Sequence, residues 1–120
     1  MKKSIFITLA ALSVAFPVSV RASETRCGWL SNPTRAHWRL IDSEVSWIIA
    51  QQGGYQAPGM DNLPRFDDKE KVFTNVRYGY GCACLEVETD QSTRKITMIY
   101  GGEILPLSTC REDPNLPNYR

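Results

Sequence analysis

The sequence predicts a mainly β fold, a small antiparallel sheet or open barrel stapled by two disulfides and carrying long loops. Three observations lead there. Four cysteines, Cys27, Cys82, Cys84 and Cys110, stand in a short chain that opens with a leader of the export type, and an even count in an oxidising compartment is read as bridges. The stretch CACLEVETDQSTRKITMIY alternates apolar and polar residues on both sides of a polar turn, which is the pattern of a hairpin. Between Gly53 and Phe66 the chain carries Gly53, Gly54, Pro58, Gly59, Asn62 and Pro64, a density of breakers that precludes regular structure and leaves a long loop.

Residues 1–22 read as a secretory signal peptide. Lys2 and Lys3 precede an apolar run from Ile5 to Phe16, and Val20 and Ala22 give the small-residue spacing of a cleavage site. The run is shorter than the roughly 20 residues needed to cross a bilayer, so no membrane span is expected. Removing Lys2, Lys3 and Arg21 leaves 11 basic against 13 acidic residues. A chain so balanced lacks the clustered positive field that a phosphate backbone demands, and nucleic acid is excluded as the expected partner. The expected product, residues 23–120, is a single small domain, periplasmic or secreted.

After Cys27, Asn32-Pro33-Thr34 marks a turn, and the central proline rules the sequon out as a glycosylation site. His37 to Ile41 is a candidate strand with Trp38 and Leu40 on one face, and Val45 to Gln51 a second, joined by Asp42-Ser43-Glu44, with a short helix as the alternative for the second run because periodicity does not separate the two over so few residues. A loop as long as Gly53 to Phe66 is a place to look for a partner-binding surface. Asp67 to Lys71 is a solvated charge run, after which Val72-Phe73-Thr74 re-enters the sheet. In the hairpin, Asp90 to Thr93 forms the turn and Thr89 pairs with Arg94. Ala83, Leu85 and Val87 then face Tyr100, Met98 and Ile96, and Glu88 meets Lys95 on the other side.

In that register Cys82 and Cys84 share the face opposite the apolar one. Two residues apart on a strand they stand about 7 Å apart, at or beyond the reach of one bridge. Each is therefore expected to pair outward, one with Cys27 and one with Cys110. Both assignments satisfy this, and we favour Cys27–Cys84 with Cys82–Cys110, taking Gly101-Gly102 as a bend or bulge. The rival reading makes Tyr78 to Cys84 a turn and joins Cys82 to Cys84 in a strained, reducible disulfide, although only Arg77 is near enough in sequence to lower a thiol pKa. A zinc site is not expected, because C-x-C lacks the usual knuckle spacing.

The aromatics Trp29, Trp38, Trp47, Tyr55, Tyr78 and Tyr80 read either as core or as the lining of a glycan or peptide groove. Gly79 and Gly81 would let backbone or a ring approach closely. The candidate binding residues are Tyr55, Gln56 and Met60 of the loop together with Tyr78 and Tyr80. No residue is assigned a catalytic role, since His37 has no serine or acid partner in recognisable spacing and the pairs Asp67-Asp68 and Glu86/Glu88 read as solvated surface. No cofactor or metal is implied.

The segments CGWLSNPT, QQGGYQAPG, YGYGCAC and PLSTCREDPNLP together resemble a small secreted bacterial family, domain of unknown function number 4087. The resemblance extends over the mature chain and matches at Cys27, Gly28, Trp29, Gly53, Gly54, Tyr55, Tyr78, Gly79, Tyr80, Gly81, Cys82, Cys84 and Cys110. It implies an exported single-domain protein and transfers no catalytic residue. The function expected is a binding or inhibitor module for an envelope protein. The alternatives are a redox protein using Cys82 and Cys84 and a module binding a cell-wall glycan fragment.

Overall fold

The computed structural model describes residues 23–119; the segment read as a signal peptide lies outside the described residues. Six strands follow in chain order: β1 (Glu24–Thr34), β2 (His37–Ile41), β3 (Ser46–Ala50), β4 (Val72–Asn75), β5 (Tyr78–Asp90) and β6 (Lys95–Leu105), with one short α-helix, α1 (Leu107–Arg111), and two single 3-10 turns, Met60–Asn62 and Asp68–Glu70, the first of which lies in the segment expected to lack regular structure. They form one sheet in the order β1-β2-β3-β6-β5-β4, in which β1 also pairs with β5. Five strands thus close on themselves, and β4 extends β5 beyond the ring.

The strand β1 was not legible as one, and it is the strand that makes closure possible. Along Glu24 to Asn32 it pairs antiparallel with β5, from Glu24↔Val87 to Asn32↔Gly79, and from Trp29 onward it also pairs with β2. Neighbours on it are buried on opposite faces, Leu30 in one core and Trp29 in another. The expected turn at Asn32-Pro33-Thr34 is displaced: the strand runs to Thr34 through a register irregularity and turns at Arg35-Ala36. The Asn32 amide holds that end, donating to the carbonyls of Thr34 and His37 at 2.6 and 2.8 Å.

The ring closes between β3 and β6 by a single parallel pair, Ile48↔Lys95, where an all-antiparallel sheet was expected. The breaker-rich segment fills the remaining gap. Ala57 N donates to Ile49 O at 2.9 Å on one side, and Ile99 N donates to Pro58 O at 3.0 Å on the other. Tyr55 adds its hydroxyl to Ile96 O at 2.8 Å, and the Asn62 amide donates to Ile99 O at 2.9 Å. Proline and glycine suit this wedge because it supplies isolated donors and acceptors rather than a continuous ladder.

Inside the ring lie Leu30, Leu40, Trp47, Leu85, Val87 and Ile96, each fully buried. Outside it, on the other face of β1 and β5, Trp29, Tyr80 and the buried Cys82–Cys110 bridge form a second core, covered by Leu107, Leu116 and Tyr119. The two bridges are Cys27–Cys84, joining directly opposed residues of β1 and β5, and Cys82–Cys110, fastening α1 to β5. The favoured pairing is therefore the one observed. Gly101 and Gly102 lie within β6 and do not reverse it, which lets the chain carry Cys110 back to Cys82.

The β5–β6 hairpin is present, but its register differs from the expected one. Asp90 pairs with Lys95, because Arg94 takes a positive φ of 58° and joins the turn. Two irregularities follow, so that Val87 faces Ile99 and Glu88 faces Met98. Ile99 belongs to the inner core, and Tyr100, expected on the apolar face, is half exposed with its hydroxyl on the Glu88 carboxylate. Lys95, expected opposite Glu88, instead sits 4.5 Å from the centre of the Tyr55 ring.

Candidate functional site

The glycines of YGYG account for how one end of the molecule is shaped. A methyl group at Gly79 would stand 1.8 Å from Val72 O, and one at Gly81 would stand 2.2 Å from the Phe66 ring and 2.6 Å from Glu70 O. Only hydrogen fits at either position, so β4 and the segment from Phe66 to Glu70 lie flat on β5, as close approach at these glycines led one to expect. That apposition places Phe66 and Lys71 beside Tyr78. Asp67 fixes the intervening turn, its carboxylate accepting from the backbone of Lys69 and Glu70 at 2.9 and 3.1 Å.

A cleft of about 540 Å³ opens there, lined among others by Trp38, Met60, Arg65, Phe66, Arg77 and Tyr78. A second depression of about 320 Å³ is lined by Arg35, Trp38, Tyr55, Gln56 and Met60. Trp38 and Met60 belong to both, so the two depressions adjoin along one groove that crosses the wedge, the start of β2 and the β4–β5 turn. Trp38 is half buried, its inner side packed on the ring's core.

Four of the five candidate binding residues come together on this groove: Tyr55, Gln56, Met60 and Tyr78. Tyr80 does not. It is only 4% exposed, stacked edge-on to Trp29 and to Tyr119 at 5.4 and 4.5 Å, and belongs to the second core. Tyr55 is also less free than a loop position implied, since its hydroxyl is tied to Ile96 O and burial raises its pKa above the usual phenol value. Sequence reasoning missed the four basic residues Arg35, Arg65, Lys71 and Arg77. They come from separate segments and share no spacing, and only the fold places them on one surface.

The family model described as protein of unknown function (DUF4087) matches residues 21–117. The chain belongs to that family. The DUF4087 assignment brings no activity with it, and neither curated proteins nor solved structures contain a match to the chain. For this DUF4087 member the chemistry must be read from the side chains. Among the described residues no cysteine is free and no group of three or more His, Cys, Asp or Glu is placed to hold a metal ion. The thiol pair imagined at Cys82 and Cys84 is not formed: each sulfur is bonded to a different strand or helix, because residues two apart on an extended strand point alike but stand too far apart. His37 is not among the residues lining the groove, and its Nε2 accepts from Arg39 Nε at 3.4 Å.

Proposed function

We propose that this DUF4087 protein is an exported, non-catalytic binding module that holds an extended segment of an envelope protein in the groove crossed by Trp38 and Met60. The carrying observation is the juxtaposition on one surface of half-exposed aromatic and thioether side chains with polar and basic rim residues, the make-up of a recognition site rather than of a surface that folding alone requires. Two disulfides fit an oxidising compartment, and no helix among the described residues is long and apolar enough to cross a membrane.

The chain carries its own reporter. Trp29 and Trp47 are buried at 1% and 0%, so a ligand in the groove changes the emission of Trp38. Displayed fragments of envelope proteins selected on the wild type should yield sequences that quench or shift that emission. Their affinity, read by anisotropy of a dye on the fragment, should fall about thirtyfold in Trp38→Ala and in Tyr78→Ala, the effect of removing an aromatic anchor. Thermal melts establish that each variant is folded. Enriched sequences that bind both variants as well as the wild type would remove the groove from the proposal.

A further inference from the structure

We infer that the segment held in this groove is acidic, with apolar residues between its carboxylates; the inference rests on the proposed binding role of the groove. Without residues 1–22 the chain has more acidic than basic residues, yet the groove lining contains Arg35, Arg65, Lys71 and Arg77 against a single acid, Asp61. The asymmetry runs against the composition of the whole.

The protein does not neutralise these cations itself. Every ion pair among the described residues is made by Arg26, to Glu24, Asp42 and Glu44. Arg77 has its guanidinium 5.5 Å from the Tyr78 ring centre, and Lys71 has its ammonium 5.3 Å from Phe73 and on the Arg77 carbonyl. Rings and a carbonyl orient such groups without cancelling their charge. A guanidinium over a ring keeps the edge of its planar fork for a carboxylate. Like charges gathered along one groove raise the local potential and favour an anionic ligand. The floor, with Trp38, Met60 and Phe66, calls for apolar side chains between the charges. A polypeptide can alternate the two at strand spacing, which is why we assign a protein segment rather than a sugar polymer.

The test uses the disulfide-bonded mature chain and three synthetic decapeptides of alternating Leu with Glu, Gln or Lys, read by Trp38 emission and by anisotropy of a terminal dye. The Glu peptide should bind about tenfold more tightly than the Gln peptide, and the advantage should shrink between about 20 mM and about 300 mM salt. Arg65→Gln/Arg77→Gln should abolish the preference, the Glu peptide losing about tenfold more affinity than the Gln peptide. Equal binding of the Glu and Gln peptides, or a preference that survives the double variant, overturns the acidic assignment and leaves the groove reading standing. No response to any peptide counts against the groove reading itself. A cell-wall disaccharide-peptide that binds more tightly than the Glu peptide overturns the choice of a protein segment.

Discussion

Asp42 shows how a single side chain sets the geometry of a corner. Its Oδ1 accepts from the backbone of Glu44 and Val45 at 2.8 Å each, and its Oδ2 accepts from Arg26 Nη1 and Trp47 Nε1 at 2.9 Å each. Burial by itself would raise the Asp42 pKa, but these four donors outweigh it and hold the carboxyl below the usual value of 3.8. A carboxyl depressed by folding contributes stability that is full above its unfolded pKa and is lost as pH falls through the folded one. Asp42→Asn should therefore cost about 2–3 kcal/mol at neutral pH, and the gap from wild type should narrow below about pH 4. Urea unfolding at pH 7 and pH 3 measures both gaps, and equal gaps would contradict the assignment. The two disulfides differ at the same scale. Cys27 is exposed and Cys84 half buried, whereas Cys82 and Cys110 are 1% and 3% exposed. Exchange needs a thiolate to reach sulfur, so mild reductant acting on the folded protein should open Cys27–Cys84 about tenfold faster or more. Timed alkylation and peptide mapping would show the order, and simultaneous opening would refute it.

Among the elements, the β4–β5 hairpin is the one built against local preference. Val76, at its turn, has a positive φ of 55° and is 88% exposed, so a β-branched residue occupies a left-handed conformation with no packing to offset the strain. Val76→Asn, which tolerates that region, should stabilise the chain by about 1 kcal/mol and raise the thermal midpoint by about 4–8 °C; a midpoint that stays put or falls would show that the turn is not strained. The β5–β6 hairpin shows what local sequence could and could not specify. Alternation identified Ala83, Leu85 and Val87 as the buried face, and all three are fully buried. It could not place the partners, because the bulged part of β6 is tied through Ile99 to Pro58 and Asn62 in a distant wedge, and long-range bonds of that kind leave no mark on local periodicity. The strand β1 escaped for a related reason: buried on both faces from Gly28 to Asn32, it shows no alternation to read. The groove was legible in part. Breakers and aromatics drew attention to Tyr55, Gln56, Met60 and Tyr78, while Trp38 looked like core because half of it is.

At the scale of the whole molecule, the two bridges close loops between residues 57 and 28 positions apart. Chain entropy assigns them similar weights, about 4 kcal/mol each, but they hold different things. Cys27–Cys84 joins strands that the sheet already pairs along nine positions, from Glu24↔Val87 to Asn32↔Gly79. Cys82–Cys110 fastens α1 and the segment after it, whose other ties are four hydrogen bonds, Trp29 Nε1 to Pro117 O at 3.0 Å, Ser31 Oγ with Tyr119 Oη at 2.8 Å, and Tyr80 Oη to Tyr119 O and Leu107 N to Glu70 Oε1 at 3.4 Å each, with the packing of Leu107, Leu116 and Tyr119 on the second core. That segment is the cover of the second core. Without its bridge the cover is held by contacts worth roughly 1 kcal/mol each, comparable with the entropy regained by letting a few residues go. Cys82→Ala/Cys110→Ala should therefore uncover Trp29, with red-shifted emission and stronger acrylamide quenching under conditions in which far-UV circular dichroism shows the sheet intact. Cys27→Ala/Cys84→Ala should lose comparable stability against urea and leave native-state emission unchanged. Equal quenching in the two variants would mean that the C-terminal segment is held by its packing, and that the buried bridge staples the sheet rather than its cover.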